Sequence, residues 1–257
     1  MMKSKRLLPF SGLILVAMWA LAAQRSQSHI VPGPWAVVRG LAELASRGLL
    51  FKYLVASLFR VTWGYFSAVA LGIPAGLVLG WYGRLERALG PILQILRPIS
   101  PLAWIPLAIL WFGVGDLPAI FIIFLGSFFP MTLTTMNAVR NLSSVHLQVS
   151  KNFGLTASQT VRKLILPAIL PQLIVGLRLA LGIAWLVVVA GEMIAVNSGL
   201  GFLIIDARNA GNRYDLVVAG MVMIGATGLV LDLGMRRLER MRRVQWGYIG
   251  ATAGGAR

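Results

Sequence analysis

Apolar runs of membrane-crossing length recur along this chain, and their ends carry arginine and lysine. The run from Tyr53 to Tyr82 is interrupted by one charge, Arg60, and later runs cover Ala119 to Met136, Leu170 to Ala195 and Leu216 to Met235. The hydrocarbon core of a bilayer takes roughly 20 apolar residues per helix. A helix satisfies its own backbone N–H and C=O groups there, where no water can. The expectation is an all-α, polytopic membrane protein with about six transmembrane helices. Composition agrees, since 58% of the 257 residues are hydrophobic and 12% charged, with a mean hydropathy of +0.79. That is too apolar for a single soluble domain.

Composition also excludes several chemistries. There is no cysteine, so neither a disulfide framework nor a thiolate metal site is expected. His29 and His146 stand far apart in the chain, and no metal centre is expected. A net charge of +16 would suit nucleic acid, but the cations sit beside the ends of apolar runs. They read as topology signals, so membrane lipid, not nucleic acid, is the partner they imply.

Taken in order, Lys3, Lys5 and Arg6 precede an apolar run from Leu7 to Ala23. It is expected to stay as a first transmembrane helix, with cleavage at Ala20-Leu21-Ala22 as the alternative. Residues 24–52 hold Val37, Val38, Leu41 and Leu44 at helical spacing, a short helix along the outer interface. Within Tyr53 to Tyr82, Gly72, Gly76 and Gly80 form a small-residue stripe for close helix packing. The bracket Gly83 to Arg87 returns the chain inward.

Leu89 to Phe112 is apolar but broken by Pro91, Pro98, Pro101 and Pro106. Prolines in series free backbone groups, which is tolerated at membrane depth only against protein or water. Residues 97–106, with Arg97, Pro98, Pro101 and Trp104, are therefore the expected lining of a solute pathway. Gly113 to Asp116 is an outer turn, and Asn197 to Asp215 an outer excursion with a short apolar piece. The tail after Trp246 is expected to be unstructured. The domain reading is 1–52, an N-terminal helix and outer segment; 53–238, the membrane-spanning body; and 239–257, a basic tail.

Orientation follows from counting cations. Inner segments hold Lys3, Lys5, Arg6, Arg84, Arg87, Arg140, Lys151, Arg162, Lys163, Arg236, Arg237, Arg240, Arg242, Arg243 and Arg257; outer ones hold Arg25, Arg39, Arg47, Lys52, Arg208 and Arg213. The excess is inward. Arg60, Arg97 and Arg178 remain inside or at the rim of spans, where an arginine costs roughly 2.5–3.5 kcal/mol at the centre. Arg178 is expected to snorkel to the inner headgroups. Glu192 lies at a depth comparable to Arg60, and a structural ion pair between them is expected, with substrate contact as the alternative.

The polar interval from Ser143 to Pro171 is the expected handle for a partner outside the membrane. Ser143 or Ser144 can cap a first helix bearing Val145, Val149 and Phe153 on one face. Gly154 suits its C-terminal cap. Thr156 and Gln159 form a capping-box pattern for a second helix, which Pro167 is expected to end.

This interval resembles the signature loop of permease subunits of binding-protein-dependent ABC importers. The resemblance rests on Gly154 followed by Ile165-Leu166-Pro167-Ala168-Ile169-Leu170-Pro171. In that family the loop is a cytosolic coupling helix seated in a groove of the ATP-binding subunit. Carried over, 143–167 is the coupling loop and Lys151, Phe153, Gly154, Leu155 and Thr156 are its ATPase-coupling residues. Gln148-Val149-Ser150 stand where the family usually has Glu-Ala-Ala. The stretches 57–80, 97–116 and 191–204 resemble permeases of the nitrate, sulfonate, taurine and bicarbonate group.

The resemblance implies the type I ABC importer permease fold in the bacterial inner membrane, with both termini cytosolic. It implies a homodimer of permease chains, two ATP-binding subunits and an extracytoplasmic solute-binding protein. The chain has no GxxxxGK[ST] loop, so it is expected to bind no cofactor itself and ATP is bound by a partner. No enzymatic activity is expected. A small anion is the implied substrate, with Arg60, Arg97, Pro98, Pro101, Trp104 and Glu192 as pathway residues. An aromatic or vitamin-precursor substrate stacking on Trp104, Trp111 or Trp185, or a carrier without ATPase subunits, are the alternatives.

Overall fold

In a computed structural model, described for residues 7–25, 30–143, 148, 150, 152–209 and 211–239, the chain is helical and no strand occurs among those residues. Helix α1 spans Leu7–Arg25, α2 Pro34–Ser46, α3 Leu49–Trp81 and α4 Gly83–Leu96. A 3-10 turn over Pro101–Trp104 leads into α5, Ile105–Phe112, and α6 is Asp116–Arg140. Helix α7 runs unbroken over Ala157–Ala195, followed by α8, Leu200–Asn209, and α9, Tyr214–Glu239. Four of these (α3, α6, α7 and α9) are long and apolar enough to cross a bilayer, and a fifth span forms if α4 and the Pro101–Phe112 segment count together. The 19-residue α1 is the sixth apolar helix.

The core is the meeting of α3, α6 and α7. Val61 and Tyr65 of α3, Ile122 and Ile123 of α6, and Ala180, Ala184 and Val188 of α7 are buried together. Toward the other end, Met131 and Val139 of α6 pack on Ile165, Ile169 and Leu173. Lipid tails are as apolar as leucine, so close packing holds such helices together. The glycine stripe supplies that closeness: a Cβ at Gly76 would lie 2.5 Å from the Thr132 carbonyl oxygen and 2.5 Å from Thr135 Cβ. A side chain there would push α3 off α6.

Three local expectations are corrected. Gly83 to Arg87 is the first turn of α4 and not a bare connector, and the proline-rich run is bent by 86° between α4 and the Pro101–Phe112 segment. Proline cannot donate to the preceding turn, so the backbone changes direction where Pro98 and Pro101 fall. Pro167 does not end its helix. A π turn over Val161–Ile165, in which Leu166 N–H donates to the Val161 carbonyl, widens the helix ahead of it. Pro167 then falls at the start of the next α-helical stretch, where its missing N–H is not needed. On α2, Val37, Gly40 and Leu44 are buried, whereas Val38 faces out.

Helix α2 is clamped to α9. Arg213 Nη2 donates to Glu43 Oε2 at 2.6 Å and to Asp215 Oδ2 at 2.8 Å. The hydrogen bond from Arg213 holds the Glu43 carboxyl below the usual carboxylate range, and the two carboxylates raise the Arg213 pKa. Lys3, Lys5, Arg6, Arg240, Arg242, Arg243 and the tail lie outside the described residues.

Candidate functional site

Three places carry polar groups that the bundle alone does not explain. The first is the handle between α6 and α7. Gly154 has φ +62°, the left-handed conformation glycine adopts at a helix C-terminus. Leu155 N–H donates to the Ser150 carbonyl at 3.0 Å, the long-range bond of a Schellman turn. Gln159 N–H then donates to Thr156 Oγ1 at 3.3 Å while Thr156 N–H donates to Gln159 Oε1 at 3.0 Å, a complete capping box. Phe153 is 78% exposed at the apex, a large ring that the described residues leave uncovered. Lys151, Val145, His146 and Val149 lie outside the described residues.

The second is a buried lock joining α3, α6, α7 and α8. Arg60 Nη1 donates to Glu192 Oε1 at 2.6 Å and to the Ser198 carbonyl at 2.8 Å, and Nε donates to Asp116 Oδ1 at 2.8 Å. Ser57 Oγ donates to Glu192 Oε2 at 2.9 Å and accepts from Leu200 N–H at 2.9 Å. Gly201 N–H donates to Glu192 Oε2 at 2.9 Å. The lock thus fixes the N-terminus of α8 against the last turns of α7. Asp116 was visible in the sequence only as a turn residue, and Ser198 as part of an excursion. Ser57 gave the readable signal, three residues before Arg60 on the same helical face.

The third is a cavity of about 440 Å³ where the bend between α4 and α5 faces α6 and α7. Arg97, Ile99, Pro101 and Trp104 form one side; Leu125, Gly126, Phe129, Pro130, Leu133, Thr134 and Asn137 of α6 and Leu179 and Ile183 of α7 form the other. Arg97, Pro101 and Trp104 therefore share a site, Pro98 is not among its lining, and Arg60 and Glu192 belong to the lock. Thr134 and Asn137 were missed, although two polar residues three apart within an apolar span are a legible signal.

Arg178 is ion-paired within the bundle. Its Nε donates to Asp232 Oδ1 at 2.7 Å and its Nη1 lies 3.3 Å from Glu239 Oε2, tying α7 to α9. Trp185 Nε1 donates to the Ile224 carbonyl at 3.0 Å, which commits that indole to packing.

Helices long and apolar enough to cross a membrane, a largely apolar cavity with Arg97, Thr134 and Asn137 on its wall, and a capped turn between two of the spans are the features of a membrane permease. The chain belongs to the family described as binding-protein-dependent transport system inner membrane component, whose profile matches residues 68–244. It is an ABC transporter permease, the family indicated by the Gly154 loop. It is 34% identical over 243 residues to the taurine transport system permease protein TauC of Escherichia coli (strain K12), covering 91% of this chain and 87% of that one. It is 33% identical over 247 residues to the bicarbonate transport system permease protein CmpB of Synechococcus elongatus, covering 91% and 88%. Among solved structures, a chain of the inward-facing MetNI methionine ABC transporter superposes with a TM-score of 0.65 at 21% identity, covering 80% of this chain and 96% of that one. That likeness establishes the type I importer permease fold.

Proposed function

We propose that this chain is the membrane-spanning subunit of an ATP-driven importer for a small anion handed over by a binding protein. The observation that carries the reading is the handle: an exposed Phe153 on a Schellman turn, followed by a capping box that opens the 39-residue α7. Such an apex, left exposed by the described residues, is suited to a groove in an ATP-binding subunit. Residues 143–167 act as the coupling loop, with Lys151, Phe153, Gly154, Leu155 and Thr156 at the contact. ATP is bound and hydrolysed by that partner, and this chain holds no cofactor.

Two permease chains, two ATP-binding subunits and an extracytoplasmic binding protein make up the working assembly. Closure of the ATPase dimer moves the handles and exchanges inner and outer access. Both termini face the cytosol, residues 53–238 form the permease body and 239–257 a basic tail. An anionic substrate is supported by the taurine and bicarbonate relatives and by Arg97 at the cavity.

The test is to purify the tagged chain in mild detergent from its native host and identify its companions by mass spectrometry. An ATP-binding subunit should be recovered, and lost when Phe153→Asp and Gly154→Glu are introduced together. A chain recovered alone that moves solute in ATP-free proteoliposomes would overturn the reading in favour of a carrier.

A further inference from the structure

The end of α3 nearest the handle is flanked by two apolar troughs. One, of about 310 Å³, lies between Leu77, Trp81 and Tyr82 of α3 and Ala157 and Val161 at the start of α7. The other, of about 340 Å³, lies between Ala75 and Leu79 of α3 and Leu85 and Leu89 of α4. Pro74 and Val78 line both, so the troughs sit on the two sides of one ridge. Val78 is 42% exposed and stands two residues from Gly76, on the side of α3 turned away from α6. Beyond Leu85 and Leu89, Ile92 continues the exposed apolar face of α4 at helical spacing.

Both troughs end at one basic rim. Tyr82 lines the first and Leu85 the second, and Arg84 falls between these two in the chain, with Arg87 a turn further on. Ser158 also lines the first trough, and Arg162, four residues later, shares its face of α7. Arg84, Arg87, Arg162 and Lys163 are all exposed, whereas the neighbouring carboxylate, Glu86, is held by Arg140 at 2.7 Å. The rim is therefore cationic, and it stands beside Trp81 and Tyr82, residue types that settle at the level of lipid headgroups.

We propose that this ridge seats one anionic phospholipid, with an acyl chain in each trough, astride Pro74 and Val78, and its phosphate at Arg84 and Arg162. Two apolar spaces that converge on one cationic rim match two chains on one headgroup. A soluble anion would use the rim and leave the troughs empty. The bound lipid braces the first turns of α7, at the base of the handle, against α3. Its placement in the inner leaflet rests on the importer reading; the site itself does not.

The test is native mass spectrometry of the full chain, with any companions it carries, released from bilayers of equal phosphatidylglycerol and phosphatidylcholine. One phosphatidylglycerol per chain should survive activation that strips the other lipids. Val78→Trp, which sets an indole on the ridge between the troughs, should abolish that retention. Arg84→Gln with Arg162→Gln, both at exposed positions, should fold as the parent does and lower the preference for phosphatidylglycerol about tenfold or more. Glycerol phosphate at millimolar concentration should not displace the lipid. Equal retention of the two lipids by the parent would reduce the site to ordinary annular contact and overturn the assignment. So would full retention by Val78→Trp, an unchanged preference in the double arginine variant, or displacement by glycerol phosphate. A parent that keeps no lipid, and whose dimer Val78→Trp breaks, would give the troughs to a second copy of the chain and overturn it likewise. Absence of an ATP-binding subunit overturns the importer reading alone, because lipid is counted on the chain in either case.

Discussion

Arg60 Nη1 and Glu192 Oε1 lie 2.6 Å apart across the α3–α7 contact, with side chains only 2% and 0% exposed. Ion pairs withdrawn this far are costly to form and costlier to leave half-made. Here the remaining lone pairs and protons are used: Ser57 and the Gly201 N–H serve Glu192, and Asp116 and Ser198 serve Arg60.

Arg60→Gln should therefore leave Glu192 buried without its counter-charge. Losing one partner of a buried pair costs about 3–5 kcal/mol. The thermal midpoint of the purified chain should fall accordingly, and the double replacement Arg60→Met with Glu192→Leu should recover part of the loss. A midpoint unmoved by Arg60→Gln would mean the lock is incidental.

Gly76→Val should prevent α3 from seating on α6, because the Thr132 carbonyl and Thr135 Cβ stand where the new side chain must go. Little folded protein should accumulate in the membrane. Gly182→Ala is the control, since no atom lies within 4 Å of the added carbon. Equal yields of the two variants would show that the stripe does not set the helix distance.

Thr156→Ala removes the side-chain acceptor of the capping box, a loss of about 1 kcal/mol. The effect should be local: faster amide exchange over Ala157–Thr160, while the middle of α7 stays protected. Thr156→Ser should exchange as the parent does. Uniform protection in the alanine variant would argue that the partner surface does not depend on this cap.

The α2–α9 clamp should weaken in acid. Arg213 holds the folded-state pKa of Glu43 below its ordinary value of 4.5, so the stabilisation is complete above that value. It disappears as pH falls through the lower folded-state value. Between about pH 5 and pH 3 the parent should lose more thermal stability than Glu43→Gln, in which the titrating charge is already absent. The difference should be small, because both side chains are partly exposed and screened. Parallel pH curves would exclude Glu43 as the titrating group.

Much of this was legible in the residues themselves. The apolar runs marked α3, α6, α7 and α9 because hydropathy over a span survives any detail of packing. Thr156 with Gln159, and Gly154, were readable because caps are local and need no knowledge of the fold. Asp116, Ser198 and Asp232 were not, since each acquires its meaning from an arginine more than fifty positions away in sequence. Pro167 misled because a proline's effect depends on the turn before it, and a π turn gives no pattern in composition. The proline series flagged residues 97–106 but not the direction of the bend, which is what brings Arg97 and Asn137 to one cavity.

The continuity of α7 has a mechanical consequence. At about 1.5 Å per residue, 39 residues make a rod of roughly 58 Å. One end is the capped apex beside Phe153, and the other is the turn that carries Glu192. No loop lies between them, and the departures from a regular helix are the π turn at Val161–Ile165 and Pro171 inside the helix. The capped turn beside Phe153 and the Arg60–Glu192 ion pair are therefore joined by one continuous piece of helical backbone.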